Sequence, residues 1–583
     1  MAVSRTRSLV HQRAEAADPG PEPGNRPGLQ RLRPGPQRLR PGLQRLQPGL
    51  QRLRRRPRSA KRRAGRIATG ALATICALVA GLASAPHSAA APGQAVDPAA
   101  EMRNLLTWAE TTNALIGKLG SDFVPGLLAA TRDYQLERLD AVHRDPERQP
   151  NPNNCTLVVS CPVNPERTPD KWRAQGGQVE PVLFTSRSGG TLSGHIWAMG
   201  EGGRRRPGVI ITPGSIWGFE QAYWYLAQDL ARAGYLVLSY DPSGQGMSDQ
   251  FGEAPDQLEQ AFGGMPLLGL FGPQSVTGAL LNGTHWPVGD GLGLGGNGLP
   301  FYDTQIDALN FLLSTPEQPY SPVPSRSTGT SHAAKQERRA AAGLIAAHNP
   351  MSALLDPERI GVTGHSYGAI AASWNSQADP RIGAAVGLDS ACVPGPPLDE
   401  AVAFMTAPVN NIAGVHLPVP LYGFSDRCFG QPNGPVPALN TPLLHVTGDY
   451  LTTPAPYVRQ PDRQAKSGVS LSFSQAGVDS GAVIIRGGNH FDASDATGIL
   501  PASLRGIDMG SWFVTAWFDK YLKHDPAADD RLINPPWRND PPTGAVDPSG
   551  DPNLFSYHYA SRLDLTLEDG TRYRCEDLRA GCP

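Results

Sequence analysis

RIGVTGHSYGAIAASW, residues 359–374, changes character in its middle. RIGVT is an apolar, β-branched run suited to a buried strand, AIAASW is suited to a helix, and GHSYG joins them. Glycines at 364 and 368 allow strand and helix backbones to approach where side chains would collide, so Ser366 would sit on a sharp turn with its hydroxyl exposed. With 65 glycines in the chain, roughly half a G-x-S-x-G match arises by chance, so the strand and helix around it carry the weight.

The same grammar extends outward from this turn. PGVIITPG (207–214), YLVLSYD (235–241), IGAAVGLD (382–389), PLLHVTGD (442–449) and AVIIRGGNH (482–490) are short apolar runs of the kind buried on both faces. Between them lie helical stretches: EQAYWYLAQDLARAGY, YDTQIDALNFLLST, GAIAASWNSQA and MGSWFVTAWFDKYLK. Strands alternating with helices predict an α/β fold with a doubly wound, mostly parallel sheet. VEPVLFTS and GTLSGHIWAM read as an antiparallel entry hairpin, and residues 98–140 as an N-terminal helical segment. FSYHYASRLDLTLEDGTRYRCEDLRAGC reads as a C-terminal β-hairpin turning at EDG. Gly/Pro-rich insertions at 249–300 and 390–440 follow strands and are read as lids or pocket walls.

Charge is divided unevenly along the 583 residues. Residues 1–66 hold 18 Lys/Arg against 3 Asp/Glu, a net of +15, which leaves −16 for the rest of a chain whose total is −1. An acidic body excludes nucleic acid as the expected partner, because phosphate neutralisation needs clustered cations on the folded domain. QRLRPGP, QRLRPGL and QRLQPGL repeat within 30–54, and their Pro-Gly pairs forbid a continuous helix. The basic run 54–66, the apolar run 67–85 and the small-residue tract SAAAPG follow the order of a secretory signal peptide with a cut near Ala90. The expected division is therefore a basic low-complexity arm (1–66), a signal peptide (67–90), a helical, cysteine-bearing segment (91–174), a main α/β domain (175–531) and a linker with hairpin (532–583). Removal of Cys76 with the signal leaves six cysteines, an even number suited to an oxidising compartment. Local spacing suggests Cys155–Cys161, Cys575–Cys582 and Cys392–Cys428, although fifteen connectivities are formally open. CxxC and HxxxH spacings are missing from the sequence, and no metal or organic cofactor is expected.

A serine hydroxyl needs a neighbouring base, and in this strand order the base is expected after the last strand, where His490 stands. The oxyanion donors are expected to be the backbone amides of Tyr367, after the nucleophile, and of Ser215 in TPGSIWG, with Ile216 as the runner-up. Trp217 and Trp374 are candidates for an apolar acyl site, an aromatic role balanced evenly against plain core packing. The TPGSI loop, GYLVLSYDPSGQGMSD, GHSYG and GGNH together resemble α/β-hydrolases over roughly residues 175–525. The resemblance is to the dienelactone-hydrolase-like group that includes cutinase-type polyester hydrolases and platelet-activating-factor acetylhydrolases.

That resemblance implies serine-dependent ester hydrolysis. It also offers two places for the triad acid. Cutinase-like members carry it where this chain has Thr452, with Asp449 close by but immediately after Gly448. Acetylhydrolase-like members carry it in a motif similar to GLDSACVP, which selects Asp389; Asp449 remains the alternative acid. The expected function is a secreted serine esterase acting on lipid, acyl or polyester substrates, with transient contact with lipid interfaces. A peptidase or amidase using the same triad and a non-catalytic lipid-binding protein on this scaffold are the competing readings.

Overall fold

The computed structural model describes residues 120–148, 161–200, 203–214, 218–249, 299–326, 328–395, 428, 435–448, 463–485, 490–495, 504–535, 561–578 and 582. The basic arm, the expected signal peptide, most of both insertions, Ser215, Ile216, Trp217, Asp449 and Thr452 lie outside them.

Ten strands form one sheet: β1 (Gly177–Thr185), β2 (Thr191–Met199), β3 (Arg206–Thr212), β4 (Leu236–Asp241), β5 (Leu355–His365), β6 (Ile382–Leu388), β7 (Leu443–Gly448), β8 (Ser480–Ile485), β9 (Arg562–Thr566) and β10 (Arg572–Cys575). Their spatial order is β1-β2-β4-β3-β5-β6-β7-β8-β9-β10. From β4 across to β8 every neighbouring pair is parallel, and an antiparallel hairpin closes each edge. The chain is therefore α/β with a mostly parallel sheet.

Nine helices accompany the strands among the described residues: α1 (Gly120–Arg144), α2 (Pro169–Ala174), α3 (Trp224–Arg232), α4 (Leu299–Leu312), α5 (Ala333–Ala341), α6 (Tyr367–Ala378), α7 (Arg463–Gln475), α8 (Leu504–Phe518) and α9 (Ala527–Ile533). Two apolar cores sandwich the sheet. Val209 and Ile211 of β3 and Val237 of β4 face one core with α3 and α8. Ile210, Leu236 and Leu238 face the other, with α4, α6 and α7. Residues alternate across a strand, so a strand buried on both faces must be apolar at every position, as the run GVII is.

Helix α3 shows how sequence ends an element. The Gly234 N–H donates to the Ala231 carbonyl and the Tyr235 N–H to that of Leu230, with Gly234 at φ 93°. A left-handed residue is required at that place, and glycine meets the requirement without a Cβ clash. The chain then enters β4 directly.

The C-terminal hairpin turns at Asp569-Gly570 and extends the sheet, with Ser480 of β8 opposite Asp564 of β9. Helix α1 is held to the body by buried charge. Arg339 of α5 pairs with Asp145 just past its end, and Arg138 lies 3.2 Å from the His195 ring. Two disulfides join Cys392 to Cys428 and Cys575 to Cys582, while Cys161 is bonded to a partner outside the described residues. No helix among the described residues is long and apolar enough to cross a membrane.

The order of the sheet locates the site. From β3 the chain steps to β4 on one side, and β5 returns to the other side of β3. The loops leaving β3 and β5 therefore diverge and open a crevice at the carboxyl ends of these strands, the usual ligand position in such sheets.

Candidate active site

Ser366 occupies this switch point, between the last residue of β5 and the first of α6. Its backbone has φ 56° and ψ −120°, a conformation that costs a non-glycine residue on the order of 1–3 kcal/mol. The neighbours make the turn sterically feasible. A Cβ on Gly364 would collide with the backbone of Gly368, and a Cβ on Gly368 with the carbonyl of Thr212. On the open side, Gly214 of the β3 loop packs against the serine, and a Cβ there would stand 2.6 Å from the Cβ of Ser366. The Ser366 N–H donates to the Leu388 carbonyl at 3.1 Å, which ties the turn to the end of β6.

Asp389 follows Leu388. It is the second of only three non-glycine residues with positive φ among those described, at 47°, a region that Asp tolerates better than most. Its own N–H donates to the Val446 carbonyl at 2.6 Å. The carboxylate has its two oxygens in separate roles. Oδ1 accepts the Thr447 hydroxyl and the Gly448 N–H, both at 2.7 Å. Oδ2 stands 2.5 Å from Nδ1 of His490. Both His490 and Asp389 are buried, at 4% and 6% exposure, so the pair is weakly screened. With Nδ1–H directed at the carboxylate, a neutral His490 carries its lone pair on Nε2.

Thus Ser366, Asp389 and His490, expected from the sequence to act together, come from the ends of β5 and β6 and the segment after β8. Tyr367 is the first residue of α6, its ring stacked on Phe301 at 5.1 Å. Ser215 and the alternative acid Asp449 lie outside the described residues. Trp374 is 5% exposed and sits in a small apolar cluster with Tyr302, Tyr367, Cys392 and Cys428, about two turns along α6 from its start at Tyr367.

Three residues with no role assigned from the sequence also belong to the site. Thr447 donates its hydroxyl to Asp389. His365, the x before the serine in the motif, has Nε2 2.5 Å from the His490 carbonyl oxygen and Nδ1 2.7 Å from the Tyr223 hydroxyl. Burial, aided by the neighbouring His490, lowers the His365 pKa to about 3, and burial raises that of Tyr223. Nothing short-range in the sequence marks these contacts, because 142 residues separate Tyr223 from His365.

Asp241, at the end of β4, has a different task. It is fully buried and accepts the Glu220 N–H and the Met247 N–H, both at 2.7 Å. Burial and the nearby Glu220 raise its pKa. It ties the loop after β3 to the loop after β4 and so fixes the crevice wall from below. Comparison with protein-family models finds no match, and comparison with curated proteins finds no significant one.

Proposed function

We propose that this protein is a serine hydrolase of the α/β-hydrolase type that cleaves carboxylic esters through an acyl-enzyme. The observation that carries the reading is a strained, glycine-flanked Ser366 at the sheet's switch point whose neighbour His365 bonds the main chain of His490, itself paired with buried Asp389. A serine on a strained turn near an imidazole oriented by a carboxylate is the arrangement that nucleophilic catalysis by serine uses.

In the proposed cycle, Ser366 Oγ attacks the ester carbonyl while Nε2 of His490 takes its proton. The tetrahedral oxyanion is stabilised by the Tyr367 amide, at the positive end of α6, and by an amide of the loop after Gly214, with Ser215 first in line. His490 returns the proton to the leaving alcohol, and water then releases the acid by the same route. Asp389 holds the tautomer and stabilises the imidazolium. The resemblance to dienelactone-hydrolase-like enzymes supports a lipid, acyl or polyester ester as the substrate class. The disulfides, together with the basic arm and apolar run, support export after signal removal.

The test is release of p-nitrophenol from short-chain and long-chain acyl esters, alongside p-nitroanilides. Ester turnover that disappears in Ser366→Ala is expected. Turnover of anilides alone would replace the ester reading with the amidase one, and no turnover of either would remove both.

A further inference from the structure

His365 lies outside any set of three residues that the proposed chemistry needs, yet it is buried at 5% exposure with both ring nitrogens engaged. A backbone carbonyl only accepts, so the His490 carbonyl oxygen requires a proton on Nε2 of His365. In a neutral ring Nδ1 is then the acceptor, and the Tyr223 hydroxyl must donate to it. An unbroken chain of donors therefore runs from the Tyr223 hydroxyl, through the His365 ring, to the main chain of His490. Every proton in it has a single consistent place. Ring centroids of His365 and His490 are 4.5 Å apart, so the two imidazoles also pack on each other.

The two ends of this chain matter. Tyr223 closes the turn Glu220–Tyr223 that follows the β3 loop, while His490 is the proposed base. The His490 side chain is paired with Asp389 through Nδ1, and the His365 bond holds the main chain of the same residue. The two bonds act at different points: one orients the ring, the other fixes where the side chain starts.

We propose that His365 is a positioning residue that locks the main chain of the proposed base His490 to the strand that carries Ser366 and, through Tyr223, to the turn at Glu220–Tyr223. The proposal deepens the ester-hydrolase reading and rests on it for its kinetic part. His365 is covalently next to Ser366, so a bond from its ring to His490 sets the nucleophile-to-base spacing from a fixed origin. Neutrality of the ring is consistent with this role, because a second cation beside His490 would oppose formation of the imidazolium.

The test uses the full secreted chain and four variants: His365→Phe, His365→Gln, Tyr223→Phe and the double variant His365→Phe/Tyr223→Phe. Phe fills the ring space without a donor, whereas Gln places an N–H at about the reach of Nε2. His365→Phe should lower kcat for a p-nitrophenyl ester by at least about tenfold with KM within about twofold, since misplacement by a fraction of an ångström acts on the chemical step. His365→Gln should recover most of that loss. Tyr223→Phe should lose less than His365→Phe, and the double variant should be no worse than His365→Phe, because the hydroxyl acts through the ring.

A second readout does not need turnover. The far-downfield proton on Nδ1 of His490, identified by its disappearance in Asp389→Asn, should broaden by solvent exchange in His365→Phe and persist in His365→Gln. Wild-type kcat in His365→Phe with an unchanged proton signal overturns the proposal. So does a kcat loss that merely follows the melting temperature and leaves the signal intact, or additive losses in the double variant. If the wild-type protein hydrolyses no ester, the function reading falls, and the proton signal alone decides the positioning role.

Discussion

Replacing Asp389 by Asn changes one atom, and the structure dictates which way the new amide must face. Oδ1 receives two donors, the Thr447 hydroxyl and the Gly448 N–H, so the amide oxygen has to remain there. The NH2 group is then forced to the Oδ2 position, 2.5 Å from Nδ1 of His490, and two N–H groups cannot share that gap. His490 must present a lone pair at Nδ1 and carry its proton on Nε2, where the proposed mechanism needs the lone pair. The imidazolium also loses its counter-charge. Loss of about 10⁴ in kcat follows, about 5.5 kcal/mol of transition-state stabilisation, by analogy with the same change in other Ser-His-Asp triads. The assay is p-nitrophenyl butyrate hydrolysis by wild-type, Asp389→Asn and Asp449→Asn proteins, with folding checked by thermal melting. Asp389→Asn activity within tenfold of wild type, or loss confined to Asp449→Asn, would refute the tautomer reasoning.

Three further outcomes are expected. Gly214→Ala places a Cβ 2.6 Å from that of Ser366, and the resulting displacement should lower kcat by about 10² while the circular dichroism spectrum stays unchanged. The disulfide Cys392–Cys428 spans 36 residues, so Cys392→Ser/Cys428→Ser should lose about 3–4 kcal/mol in denaturant unfolding on the chain-entropy account. His365 has a folded pKa lowered to about 3 against an unfolded value of about 6.5, so the unfolded chain binds the proton more tightly. Its contribution to stability is therefore complete above pH 6.5 and is lost as pH falls toward 3, at about 1.4 kcal/mol per unit, and His365→Gln should flatten that limb of the stability-against-pH curve.

Much of the architecture was legible because the physics was local. A strand buried on both faces must be apolar throughout, and PGVIIT and LVLSYD carry that mark. The Ser366 turn was legible because only glycine fits at 364 and 368. Asp389 could be named as an acid candidate through the resemblance of GLDSACVP to acetylhydrolase-like members, and the strand it follows does pair with that of Ser366, His365 opposite Leu388. What the sequence hid were contacts made only by folding. Tyr223 and His365 read as an ordinary aromatic and an ordinary motif filler, and Thr447 as a strand-end threonine. The C-terminal hairpin announced its own turn, through EDG, but not its pairing with β8, since register with a distant strand has no short-range signature.

The most direct measurement of the central claim is covalent labelling of the folded protein with a fluorophosphonate, followed by peptide mass spectrometry and residual ester turnover. A serine attacks phosphorus only when its hydroxyl is activated by a neighbouring base. The account predicts one adduct, on the peptide carrying Ser366, with turnover falling in proportion to labelling and no adduct in Ser366→Ala. An adduct on a different residue, or ester hydrolysis that survives complete labelling of Ser366, would contradict it.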